Sequence, residues 1–185
     1  KDYANLANNP SAGNYSGQLQ EKYRWIEYHK WKFKSRTYTS LSGGNKCLVL
    51  MTRVEFGILG SYNKSKKSPF ETFYVGGDGT SGYTSTYATE TIGMRGYDNG
   101  SLTPNGYSGY AYDRFTVELR YPFMLNNSTN IYGLVFAEGG NAWNSVRKFN
   151  PFDMKRSVGA GVRIFLPMVG LLGIDWAYGF DDVFG

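Results

Sequence analysis

Tyr112-Asp113-Arg114-Phe115-Thr116-Val117-Glu118-Leu119-Arg120-Tyr121-Pro122-Phe123 is the stretch that decides the fold. Phe115, Val117, Leu119 and Tyr121 fall on one parity, and Arg114, Thr116, Glu118 and Arg120 on the other. A period of two means a strand, because successive side chains of extended backbone point to opposite faces. One face of this strand is apolar and the other is charged at nearly every position.

The same period recurs on both sides of this stretch. Between Tyr28 and Leu41, Lys30, Lys32, Lys34 and Arg36 alternate with Trp31, Phe33, Ser35 and Thr37. From Lys46 to Tyr62, Leu48, Leu50, Val54, Phe56 and Ile58 oppose Arg53, Glu55 and Gly57, and the polar Ser42-Gly43-Gly44-Asn45 between the two runs reads as a hairpin turn. Further alternating runs occupy Ile131 to Trp143, Arg156 to Leu166 and Leu172 to Phe180. Together these make six strands of about ten residues, the length a tilted strand needs to cross a hydrocarbon layer. Short turns (Ser42 to Lys46, Pro122 to Asn130, Pro167 to Leu171) alternate with long connections (Asn63 to Tyr110, Asn144 to Lys155). Outer-membrane barrels carry that asymmetry.

Composition agrees with this reading and removes several others. The chain has 185 residues and a net charge of +5, with 41% hydrophobic, 19% charged and 17% aromatic residues and 24 glycines. That is too aromatic and too weakly charged for a disordered segment. Mean hydropathy is −0.43, and no run approaches the roughly 20 apolar residues of a membrane-spanning helix. A β-barrel survives this test because its strands are apolar on one face only. No secretion signal is visible at Lys1-Asp2-Tyr3-Ala4-Asn5, and the single Cys47 can form no intrachain disulfide.

A soluble antiparallel sandwich also alternates. Against it, the polar parity mixes charges with glycine and other small residues, as a confined wet lumen requires. Aromatics also sit near strand ends on the apolar parity (Trp31, Tyr121, Trp143, Tyr178), as interfacial girdles do. The fold expected is all-β: an antiparallel transmembrane β-barrel, present in part. Six strands fall short of the roughly eight needed for closure, and unpaired edges in lipid leave backbone groups unsatisfied.

The long connection contains Phe70-Glu71-Thr72-Phe73-Tyr74-Val75-Gly76-Gly77 and, later, Met94-Arg95-Gly96-Tyr97. These segments resemble the sixth extracellular loop of the BamA superfamily, whose hallmark is Val-Arg-Gly-Phe/Tyr after a Phe-Tyr-x-Gly-Gly segment; Met94 stands where Val is usual. Asp98 to Pro104 is similar to members from the Bacteroidetes lineage. Gly133 to Trp143 resembles the family's Phe-x-Asp-x-Gly-x-x-Trp strand, with Glu138 in place of Asp, and Arg156 to Phe180 resembles its closing strands.

The resemblance implies that residues 1–185 are the C-terminal part of a barrel of about sixteen strands, with a long extracellular loop at about 63–110. It implies that this loop folds back into the barrel and that Arg95 meets the inward carboxylate Glu138, a pairing suited to a planar guanidinium. It implies a central subunit of the machinery that folds and inserts barrel proteins into the bacterial outer membrane. Its partners would be unfolded outer-membrane proteins, other assembly subunits and outer-membrane lipid. The alternatives are a related translocation pore, of two-partner secretion or lipase-fused type, and a soluble aromatic-rich binding module.

Lys30, Lys32, Lys34 and Arg36 form a basic ladder that reads as a hydrated lumen wall balanced by acidic loop residues, rather than as a site for nucleic acid or lipopolysaccharide phosphate. Lys64, Lys66 and Lys67 make a second basic cluster at the start of the loop. Gly76 to Gly82 lacks the Lys-Ser/Thr of a P-loop and the repeated acids of an EF-hand, and reads as a tight turn. Catalysis, metal binding and cofactors find no support, since the one histidine, His29, has no nucleophile motif beside it and one His with one Cys makes no zinc site.

Overall fold

The computed structural model describes residues 13–44, 47–63, 67–79, 89–106, 109–126 and 129–183. A short helix, α1 (Tyr15–Tyr23), precedes strands β1 (Tyr28–Ser40), β2 (Val49–Ser61), β3 (Phe73–Val75), β4 (Glu90–Ile92), β5 (Ala111–Leu125), β6 (Asn130–Trp143), β7 (Lys155–Leu166) and β8 (Gly170–Gly179). Six of them form one antiparallel sheet in the order β1-β2-β5-β6-β7-β8. The other two, β3 and β4, pair in parallel within the long connection between β2 and β5. The large sheet is an open piece of a barrel wall, with β1 and β8 at its edges.

Register carries the alternation across the whole sheet. Lys34, Glu55, Arg114 and Gly140 lie in one row, and Arg36, Arg53, Thr116, Glu138 and Ser157 in the next. Directly opposed residues share a face, so these rows make one polar wall. The other face carries Phe33, Phe56, Val117, Val135, Val158 and Trp176, and its exposure is extreme for apolar residues: Trp31 is 71% and Ile174 81% exposed. No soluble sheet leaves so continuous an apolar surface uncovered. It is the surface a barrel turns to lipid.

Val135, near the middle of β6, tests this assignment. Val135→Arg is expected to lower stability in lipid vesicles by about 2–4 kcal/mol, the cost of a cation on the lipid face near the bilayer midplane. The urea midpoint of the protein's heat-modifiable gel band reads it out, and a shift below about 0.5 kcal/mol would deny that this face meets hydrocarbon.

Two details depart from the sequence expectation. Trp143 lies on the lipid-facing parity near a strand end, yet it is only 8% exposed. The segment after β6 turns back over it, and Phe149 packs edge-on at 4.9 Å between ring centroids. Its indole is therefore core, while Trp31, Tyr121 and Tyr178 remain exposed. The turn expected from Pro122 to Asn130 is shorter, because β5 runs past Pro122 to Leu125, with a register slip between Pro122 and Met124. Proline offers no ladder N–H, and the bulge accommodates it close to the end of the strand.

The hydrophobic core lies between the polar wall and the long connection. Phe73, Val75, Ile92, Met94 and Leu102 of that connection pack with Leu59, Tyr112 and Ala142 of the wall. Gly57 of β2 makes room for them, since a Cβ there would sit 2.8 Å from the Phe73 ring. The connection is thus folded against the inner face of the sheet.

Candidate functional site

Arg95, Gly96 and Tyr97 each meet a different part of the wall, and Met94 is held from within the loop. Met94 is fully buried, and its N–H donates to the Gly77 carbonyl at 2.8 Å. Gly77 N–H donates in turn to the Tyr97 carbonyl at 3.0 Å, and φ of +75° at Gly77 lets it serve both. The tight glycine turn thus holds the tetrapeptide in place; Thr80, Ser81 and Gly82 of that stretch lie outside the described residues.

Arg95 is the centre of the site. Its Nη2 and Nε donate to Glu138 Oε1 at 2.7 and 3.1 Å, and its backbone N–H donates to Oε2 at 2.9 Å. The same guanidinium reaches Glu118 Oε2 on β5 at 3.1 Å and Asp175 Oδ2 on β8 at 3.2 Å. Its flat face stacks on Phe136, with Cζ 3.4 Å from the ring centroid. Burial works against the charged form of Arg95, but the hydrogen bonds and field of Glu138 outweigh it and bind its proton more firmly. Only a guanidinium offers donors in this planar fork together with a face for stacking.

Glu138 is 3% exposed and would be costly as a lone anion. It is not alone, since Arg114 Nη2 donates at 3.0 Å and Thr116 Oγ1 at 3.3 Å to the same oxygen that Arg95 binds. Around it, Arg163 pairs bidentately with Asp175 at 2.6 Å on both oxygens, and Arg120 with Glu118 at 2.6 Å. Four guanidiniums and three carboxylates therefore interlock across β5, β6, β7, β8 and the loop.

Gly96 fits between β7 and β8 with φ of +94°, and a Cβ there would lie 2.9 Å from Ser157 Cβ and 3.0 Å from the Gly179 nitrogen. Tyr97 completes the contact: its hydroxyl donates to the Arg156 carbonyl at 2.7 Å and accepts from the Asp181 N–H at 3.4 Å.

A second attachment lies at the other edge of the sheet. Lys30 Nζ donates to the Glu71 carbonyl at 3.0 Å and to its Oε2 at 2.9 Å, and pairs with Glu90 Oε2 at 3.0 Å. Its three donors are thereby used. Lys32 meets Glu90 at 3.0 Å and Lys34 meets it at 3.4 Å. Arg36 lies on the same face without an ion pair among the described residues. Lys64 and Lys66 of the second cluster lie outside the described residues, and Lys67 rests over the Tyr110 ring at 5.1 Å.

Burial would raise the Glu90 carboxyl, but hydrogen bonds from Lys30 and Lys32 more than offset it and hold it below its ordinary 4.5. A carboxyl depressed in the folded state stabilises above its unfolded value and loses that contribution as pH falls through the folded one. Acidification below about 4.5 is therefore expected to loosen β4 from β1. Limited proteolysis of the loop at neutral and acid pH checks this: in Glu90→Gln the cleavage rate should be raised at neutral pH and should change less on acidification than in the wild type.

The sequence profile of the Omp85 superfamily domain matches residues 1–183. The chain belongs to the Omp85 superfamily. Within 160 residues it is 26% identical to a protein of Neisseria meningitidis serogroup B (strain ATCC BAA-335 / MC58) named outer membrane protein assembly factor BamA. That match covers 80% of this chain and 17% of the relative, so the chain spans about a sixth of that protein's length. In this Omp85 domain the loop is bound at two places of opposite sign: an arginine of the loop among wall carboxylates, and carboxylates of the loop among wall lysines. Glu118 and Asp175 did not stand out in the sequence as partners of Arg95, nor Arg114 as a second partner of Glu138. Their signal was there only as charge on the inward parity of two strands, which says which face they occupy and not which of them meet.

Proposed function

We propose that the chain is the C-terminal barrel portion of an assembly factor that folds and inserts β-barrel proteins into the bacterial outer membrane. The observation that carries this reading is the docked tetrapeptide, Met94 to Tyr97, gripping β5, β6, β7 and β8 from inside the sheet. A solvated loop would leave these residues free; here the loop braces one stretch of wall, which a protein needs if another part of its barrel is to open toward lipid. Membership of the Omp85 superfamily and the similarity to an assembly factor support the same role.

On this reading the short turns face the periplasm and the long connections the cell exterior. Unfolded outer-membrane proteins are the substrates, other assembly subunits are partners, and outer-membrane lipid is the medium being deformed. Incoming strands gain backbone partners at an open barrel edge, so insertion proceeds by exchange of hydrogen bonds without an enzymatic step or cofactor.

Reconstitution tests it. Full-length protein in lipid vesicles is expected to speed the appearance of the folded, heat-modifiable form of an unfolded outer-membrane protein. Vesicles holding Arg95→Glu should lose most of that acceleration. Equal rates with and without the full-length protein would defeat the assembly reading in favour of a translocation pore, for which release of an internalised unfolded passenger is the corresponding assay.

A further inference from the structure

Arg36 of β1 and Arg53 of β2 are directly opposed in the antiparallel register. Like charges at opposed positions repel, and sheets avoid them unless something lies between. The remaining cations of this wall have their counter-ions: Glu90 reaches Lys34, Glu138 reaches Arg95 and Arg114, Glu118 reaches Arg120, and Asp175 reaches Arg163, all within 3.4 Å. Arg36 has no carboxylate partner among the described residues. Arg53 has one only at 3.9 Å, from Nε to Glu55 Oε1, and that Nε is buried without a hydrogen-bond acceptor. Both arginines line a polar cavity of about 400 Å³ that opens on the inner face of the sheet.

From this arrangement we propose that Arg36 and Arg53 form a lumenal site for an oxyanion of the phosphate class. Two guanidiniums on directly opposed residues of one cavity offer forked donors of the kind that suits the oxygens of a tetrahedral anion. A phosphate carries about −1.5 to −2 charges at neutral pH, enough to neutralise both arginines where a single carboxylate neutralises one. The cavity admits an anion of that size and excludes a folded domain. Free phosphate and the phosphate of a lipid headgroup share this chemistry. Arg95, Glu118 and Asp175 line the same cavity, but neither Arg36 nor Arg53 is bonded to Arg95 or to the carboxylates that hold it, so absence of anion binding would leave the docked loop and the assembly reading as they stand.

The test uses full-length protein folded in detergent micelles. Isothermal titration with sodium phosphate, against sodium chloride of equal ionic strength, should show saturable binding to the wild type. Arg36→Gln combined with Arg53→Gln should weaken it at least tenfold, and the paired lysine variant should fall between. Unchanged heat-modifiability and unchanged proteolysis of the loop would establish that the variants are folded. A second arm titrates micelles doped with phosphatidic acid against micelles doped with phosphatidylcholine. Binding confined to phosphatidic acid and lost in the glutamine variant retains the site and assigns its anion to a lipid headgroup. Phosphate no better than chloride, with phosphatidic acid no better than phosphatidylcholine, overturns the proposal. So does undiminished binding in the folded glutamine variant, since the two charges would then be neutralised from elsewhere in the chain.

Discussion

Arg95→Glu is expected to be the most damaging single substitution in the chain. It removes the cation that three carboxylates share and adds a fourth carboxylate among Glu118, Glu138 and Asp175. Removing one partner of a buried pair costs about 3–5 kcal/mol, because the remaining charge stays buried without compensation. Part of that loss will be relieved by undocking of the loop, so the expected signature is a loop cleaved rapidly by protease in a barrel that is less stable and assembled at low yield. Arg95→Lys should be intermediate, since an ammonium keeps the charge but cannot form the fork or stack on Phe136.

The reciprocal substitution refines this. Glu138→Arg would place a new cation beside Arg114 as well as Arg95, and in the double swap the carboxylate introduced at position 95 would still face Glu118 and Asp175. Recovery in the double variant should therefore be partial. A double-mutant cycle on loop proteolysis measures it, and two silent single swaps with no coupling would remove the pair from any role in docking.

Gly96→Val should be nearly as harmful by a purely steric route. At φ of +94° a β-branched residue is strained by about 1–3 kcal/mol, and its side chain would enter the gap between Ser157 and the Gly179 backbone. Overpacking adds about 1–3 kcal/mol more. No charge changes, so salt should not alter the defect, whereas the defect of Arg95→Glu should depend on ionic strength wherever water reaches the cluster. Gly96→Ala should fall between the wild type and Gly96→Val. Wild-type protease resistance in Gly96→Val would mean that the loop does not sit in this gap.

The wall of the barrel was legible because period two is imposed on every residue of a strand that separates lipid from water. Charged and small residues at one parity and Val, Phe and Trp at the other suffice to place β1, β2, β5, β6, β7 and β8. Three-residue strands carry no such signal, so β3 and β4, paired in parallel within the loop, could not be distinguished from irregular chain. Trp143 was misplaced for a related reason: parity tells which face a residue starts on, not whether the next segment folds over it.

The site divides in the same way. Arg95 and Glu138 stood out only through family resemblance, since an arginine in a loop and a glutamate in a strand have no local rule joining them across 43 residues. Asp175 lies 80 residues from Arg95, and its part in the cluster depends on β8 reaching its place in the sheet. Glu71 and Glu90 were foreseeable as acids that balance a basic wall. Which lysine each meets is a matter of how the loop folds.

The cluster around Arg95 also has a bearing on how the wall itself is put together. A strand slipped by one residue exchanges its two faces. If β6 paired one residue out of register, Glu138 would point to lipid and Arg95 would find Arg114 without its counter-ion. A slip in β8 would withdraw Asp175 from the same guanidinium. Docking of the loop thus stabilises only the sheet in which β5, β6 and β8 are simultaneously in register, so the same contacts that hold the loop also disfavour a slipped wall.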